Sequence, residues 1–167
     1  EAIQIEREEL AELRSHANYV IDTSSLKVAE MNSELDKLFG SKTKKASFVL
    51  NLMSFGYKHG MPAEADWVID VRFIPNPYYV SSLKKLTGNN KKVAQYVMKQ
   101  DITKEFVNRF HEIIARLLPC YVKEGKYSLT IAFGCTGGQH RSVALANEFY
   151  KIFTAEGWRV TLEHREL

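Results

Sequence analysis

"TIAFGCTGGQHRSVALANEFYKIF", Thr130 to Phe153, holds in order an apolar run, a cysteine, two glycines, a histidine, an arginine and an amphipathic run. That order predicts a strand, a tight turn and a helix. Glycines let a backbone turn sharply and present N–H groups to a ligand. The first turn of a helix leaves further N–H donors unpaired and carries partial positive charge. Arg141 adds a fork of donors matched to a phosphate or a carboxylate. An anion-binding loop is the leading reading of this stretch. A plain strand-to-helix turn, with glycine at a positive φ, is the alternative.

The flanking sequence repeats the alternation of strand and helix. "ASFVLNLMSFGY", "WVIDVRF", "YSLTIAFGC" and "WRVTLEHREL" read as strands. "SSLKKLTG", "NNKKVAQYVMKQ" and "ITKEFVNRFHEIIARLLPCYVKEG" read as helices between them, and "QHRSVALANEFYKIFTAEG" as the helix after the loop. Strands separated by helical segments predict an α/β domain with a mostly parallel or mixed sheet flanked by helices. Upstream, "EAIQIEREELAELRSHA" predicts a helix with a narrow stripe of Ile3, Leu10 and Leu13. "NYVIDTS" predicts a short strand, and Ser24 or Ser25 a cap for the helix "LKVAEMNSELDKLF". The basic linker "GSKTKK", Gly40 to Lys45, divides residues 1–45 from a main domain over 46–167.

Parallel α/β sheets bind ligands at the carboxyl ends of their strands. Three strand ends carry polar groups here. The first runs into Lys58, His59 and Gly60; the second carries Asp70 and Arg72; the third runs into Cys135, Thr136, Gly137, Gly138, Gln139, His140, Arg141 and Ser142. If these strands are neighbours, the groups form one site. Asp70 and Arg72 alternate with Val71 and Phe73 and so are expected on one face of their strand.

Cys135, five residues, Arg141 and Ser142 is also the spacing of cysteine-dependent phosphatases. There a loop wraps phosphate and the thiolate attacks phosphorus, with Asp66 or Asp70 as an acid. Gly134 before the cysteine and the interior of the loop depart from that pattern. His59, His140, His164 and Cys135 have no tight metal-ligand spacing, so no metal is expected. His16 and His111 read as solvated. Lys42, Lys44, Lys45, Lys84, Lys85, Lys91 and Lys92, with Tyr78, Tyr79, Tyr96 and Tyr127, are the candidate contacts for RNA.

Length and composition suit a globular domain: 167 residues, 45% apolar, 26% charged, net charge +3. No apolar run approaches the roughly 20 residues of a membrane span. Two cysteines exclude a disulfide framework and point to a reducing cytoplasm.

"SFGYKHGMPAEADWVIDVRFIPNPYY", "LTG" and "LTIAFGCTGGQHRSVALAN" resemble the RapZ/YvcJ family of bacterial nucleotide-binding proteins, over roughly Ala46 to Leu167. "NYVIDTSSL" resembles the segment joining that family's two domains. The resemblance implies a C-terminal ligand-binding domain, likened to a phosphofructokinase subdomain, that is not itself an enzyme. ATP or GTP is then expected only on a P-loop domain that precedes it, and no cofactor on this chain. The adapter members of the family sense glucosamine-6-phosphate and bind small RNA, and family members form homo-oligomers. Their pocket carries over to His59, Thr136, Gly137, His140 and Arg141, with Cys135 in the same loop. Independently of the resemblance, an acid such as Asp70 suits an ammonium group on such a ligand. Gln139, where adapter members often have Lys, and the ending "HREL", without a basic tail, depart from the RNA-binding members.

Overall fold

The structure is a computed structural model that describes residues 2–39 and 48–167. The linker Gly40–Lys45, its lysines 42, 44 and 45, and the boundary at residues 45/46 lie outside the described residues. The chain forms two compact units, Glu1–Gly40 and Ser41–Leu167.

In the first unit, α1 spans Ala2–His16 and α2 spans Val28–Phe39. Ile3 and Leu10 of the α1 stripe are exposed. The expected strand at "NYVIDTS" does not form. Tyr19 and Val20 are exposed, and the segment turns on itself instead, with Ser24 N–H donating to Asp22 Oδ1 at 2.9 Å. A strand needs a ladder partner, and among the described residues none pairs with this one. The start of α2 is closed by neither Ser24 nor Ser25. Glu30 reaches back to accept from Lys27 N–H at 2.8 Å, one half of a capping box.

The second unit is a four-stranded parallel sheet with helices. Its elements are β1 Val49–Gly56, β2 Trp67–Asp70, α3 Lys91–Met98, α4 Asp101–Glu124, β3 Ser128–Cys135, α5 Arg141–Ala155 and β4 Arg159–His164. The strand order is β2-β3-β1-β4 and every pairing is parallel. The α/β class is as expected, and the sheet is wholly parallel. "SSLKKLTG" makes a run of turns, not a helix. Its Gly88 lies where a Cβ would stand 2.4 Å from His140 O, so the segment is shaped by docking on the head of α5.

Alternation along the strands separates two faces. Leu50 and Leu52 of β1 and Leu129, Ile131 and Phe133 of β3 enter one large core with Ile114 and Leu118 of α4 and Leu145, Phe149 and Phe153 of α5. Phe133 and Phe149 stack at 5.1 Å between centroids. On the other face Met53, Phe55 and Ala132 form a small buried apolar cluster with Tyr57 and Ala65 against them. A polar row continues that face: Thr161 Oγ1 donates to Asn51 Oδ1, and Asn51 Nδ2 to Thr130 Oγ1.

Candidate functional site

The β1–β3 register places Gly56 beside Cys135, so the two strands end together. Beyond them the chain over Thr136–His140 folds across the end of β1. A Cβ on Gly56 would stand 2.7 Å from Gly137 C and 2.8 Å from Gly138 N. Real Cβ atoms do not approach backbone so closely, so only glycine lets β1 pass beneath the loop. Gly138 has φ +72°, the left-handed region that favours glycine. Lys58 N–H donates to Thr136 O at 3.3 Å, which ties the β1 end to the loop.

Cys135 lies at the centre, 3% exposed, with its Sγ 3.2 Å from Ser142 Oγ. Burial pushes its thiol up. Hydrogen bonds from the Ser142 hydroxyl and from the N–H groups of Ser142, His140 and Gly138 outweigh burial and bring it below the ordinary thiol value. His140 caps α5 without a side-chain hydrogen bond, so the helix start is open to this use. Three loop amides thus converge on the sulfur and favour its thiolate form.

Arg141 is 5% exposed, and its donors turn inward. One Nη donates to Arg72 O and Ile74 O, both at 3.0 Å, and the other to Thr136 Oγ1 at 3.3 Å. The expected fork toward a ligand is therefore engaged in pinning the segment after β2 to the loop. Asp70 and Arg72 do not share a strand face, because β2 ends at Asp70. Arg72 N–H folds back to Asp70 Oδ1 in a tight turn, and the guanidinium grips the same carboxylate at 2.7–3.0 Å. That grip holds the Asp70 carboxyl below the usual carboxylate range. Arg72 also stacks on the Tyr57 ring at 4.3 Å.

The expected residues are brought together unequally. Thr136, Gly137, Gly138, Gln139, His140, Arg141, Ser142 and Cys135 form one loop, and Arg72 reaches it through its carbonyl. Gln139 is exposed, and its carbonyl accepts from Gly88 N–H. His140 is 8% exposed, and its Nε2 has no hydrogen-bond partner among the described residues. His59 sits exposed on a single 3-10 turn, Tyr57–His59, past the end of β1. Asp66 is held by Lys126 and by Thr130 N–H. His111 pairs with Glu156 instead of standing free in solvent.

Two side chains that the sequence named without a definite role take definite places. Lys58 runs over the loop, its Nζ 4.0 Å from where a Cβ on Gly137 would stand. Its place next to His59 in the first loop was the signal. His164 bonds buried Ser54 through Nδ1 at 2.8 Å, and burial pushes its imidazole below the ordinary value. Its partner is 110 residues away, so no local pattern marks it.

Among the described residues no group of three or more His, Cys, Asp or Glu side chains is placed to hold a metal ion. None of the helices described is long and apolar enough to cross a membrane. A groove of about 420 Å³ on α4, lined by Phe73, Ile102, Phe106, Phe110 and Ile113, carries none of the loop's chemistry.

The family model of the RapZ C-terminal domain matches residues 48–167, the whole described part of the second unit. A nucleotide-binding protein of Caldanaerobacter subterraneus subsp. tengcongensis is 47% identical over 167 residues, all of this chain and 59% of that protein. A nucleotide-binding protein of Alkaliphilus oremlandii is 46% identical over 166 residues, 99% of this chain and 57% of that protein. The chain thus spans a little under three fifths of the length of these relatives. With its sheet, its glycine crossing and its cysteine-centred loop all inside the matched segment, the chain belongs to the RapZ family and carries that family's C-terminal domain.

Proposed function

We propose that this chain is a ligand-binding module that takes an anionic metabolite, a phosphosugar such as glucosamine-6-phosphate, at the Cys135–Ser142 loop. The observation that carries the reading is the convergence of the Gly138, His140 and Ser142 amides, at the open start of a 15-residue helix, on the Cys135 sulfur. Amides that favour the thiolate form of a sulfur present the same field to a ligand oxygen nearby. Lys58 over Gly137 and the hydroxyl of exposed Thr136 are the groups free to meet it.

The module itself is not an enzyme in this reading. A phosphatase needs its arginine on the phosphate and its acid protonated. Arg141 donates instead to Arg72 O, Ile74 O and Thr136, and Asp70 is ionised against Arg72. RNA is a second-rank partner: the exposed Tyr78 and Tyr79, with Lys84 over the Tyr78 ring, are its best support. ATP or GTP binding and homo-oligomer formation are proposals for the longer relatives and rest on no residue of this loop.

Calorimetric titration with glucosamine-6-phosphate and with inorganic phosphate tests the reading. Lys58→Ala is the informative variant, because Arg141 supports the loop itself. Binding of the sugar phosphate, weakened roughly threefold or more in Lys58→Ala, is the expected result. No binding of either anion sinks the assignment. Turnover of an aryl phosphate lost in Cys135→Ser would replace it with the phosphatase.

A further inference from the structure

The segment after β4 is fastened at one end and unpaired at the other. At the fastened end, Ser54 is in register with His164, their side chains bond at 2.8 Å, and Arg165 N–H donates to Ser54 O at 3.1 Å. At the other end Glu166 comes against Gly138, its Oε2 2.2 Å from the place where a Cβ on Gly138 would stand. That oxygen is buried and accepts no hydrogen bond from any described residue. A buried acceptor in that state is costly, and more so when charged. Packing alone thus presses a carboxylate on the loop, two residues from a histidine, a side chain that gains a charge in mild acid.

No charge around His164 acts on it. β1 has no titratable side chain. α5 packs on β4 and carries Arg141, Glu148, Tyr150 and Lys151. Arg141 is turned to Arg72 O and Ile74 O, Glu148 faces Lys151 at 3.5 Å, and Tyr150 lies against the main core. On β4 itself Arg159 and Glu163 alternate to the opposite, exposed face. The loop adds Cys135, held by Ser142 and three amides, and the buried His140. Burial is the influence that moves the His164 imidazole, and it moves it down.

From this we infer that His164 and Glu166 form a proton-operated clasp on the Cys135–Ser142 loop: a proton taken up by His164 gives Glu166 the cationic partner it lacks and draws its carboxylate off Gly138. The inference holds whatever the loop binds. With His164 neutral, nothing competes for the carboxylate and it stays packed on the glycine. With His164 charged, a half-buried cation and a buried unpaired anion stand on one short turn, and pairing relieves both. Leu167 N–H closes that turn on His164 O at 3.5 Å, so the exchange leaves the β4–β1 ladder intact. Burial opposes the charge and confines the release to acid below the ordinary histidine value of about 6.5.

The test is two-dimensional NMR of the full chain, without ligand, from about pH 8 down to about pH 4.5. The Gly138 amide signal is expected to shift at the midpoint of the His164 ring signals. His164→Gln is expected to abolish that shift, and Glu166→Gln to abolish it while His164 still titrates. A Gly138 signal that stays fixed while His164 titrates, or that follows the midpoint of His140 or Cys135, overturns the inference. So does an unchanged shift in Glu166→Gln, which would make the carboxylate a bystander. A His164 ring that does not titrate before the protein unfolds overturns it as well. Where thermal melting shows that a variant does not fold, wild type decides: coincident midpoints of Gly138 and His164 support the clasp, and separate ones sink it.

Discussion

Cys135 is the residue at which burial and hydrogen bonding oppose each other most directly. Burial favours the neutral thiol; Ser142 and three amides favour the thiolate, and they win. Titrating thiolate absorbance in a Cys120→Ala background is expected to show Cys135 ionising below the ordinary thiol value. Ionisation at or above that value would mean the amides do not face sulfur. The sign for stability follows, because the folded state holds this proton less tightly than the unfolded chain. Stability therefore grows as pH rises from the lowered folded value to the unfolded one, and Cys135→Ser should flatten that rise. His164 has the opposite chemistry and a related consequence. Its charged form is disfavoured by burial, so acid favours the unfolded chain. Stability is whole above about 6.5, the free histidine value, and falls as pH drops from there toward the lower folded value. Melting temperatures from pH 8 to pH 5 should decline less in His164→Gln than in wild type. Equal slopes would show that His164 takes no part.

The loop, as an element, is held by what surrounds it more than by its own sequence. Gly56 beneath it and Gly88 beside it contact its backbone, and Arg141 behind it donates to the Thr136 side chain. Gly56→Ala forces a Cβ into Gly137 and Gly138 and should cost about 1–3 kcal/mol, as overpacking of close-packed sites does. Urea unfolding measures it; a loss below about 0.5 kcal/mol would mean that the loop shifts freely. Arg141→Ala removes a charged donor from two buried-side carbonyls and from Thr136, and about 2–4 kcal/mol should go with it. The strand, turn and helix of this element were readable from Thr130–Phe153 alone, because glycines and periodicity are local signals. The inward turn of Arg141 was not. It depends on carbonyls of residues 72 and 74, which become neighbours only when β2 lies beside β3. "NYVIDTS" and "SSLKKLTG" misled for the same reason: each has the composition of an element, and its surroundings decide otherwise.

At the scale of the molecule, the whole sheet, the main core and the loop lie within residues 48–167. A fragment of those residues is expected to unfold cooperatively, with a urea midpoint close to that of the full chain. A molten fragment would show that residues 1–47 complete the core. The four strands and the parallel class were legible in sequence as alternating apolar and helical runs. The order β2-β3-β1-β4 was not, since no local pattern says that the first strand sits between the last two. That order has a consequence in time. When β1 leaves the ribosome, both its edges lack partners. The residues that pair with Asn51 stand 79 and 110 positions later, at Thr130 and Thr161. At about 5–20 residues per second, its second neighbour follows by roughly 5–20 s. Until the first neighbour emerges the apolar strand "VLNLMSFG" has two open edges, and until the second it has one, the kind of segment that chaperones shield and that aggregates when synthesis outruns them.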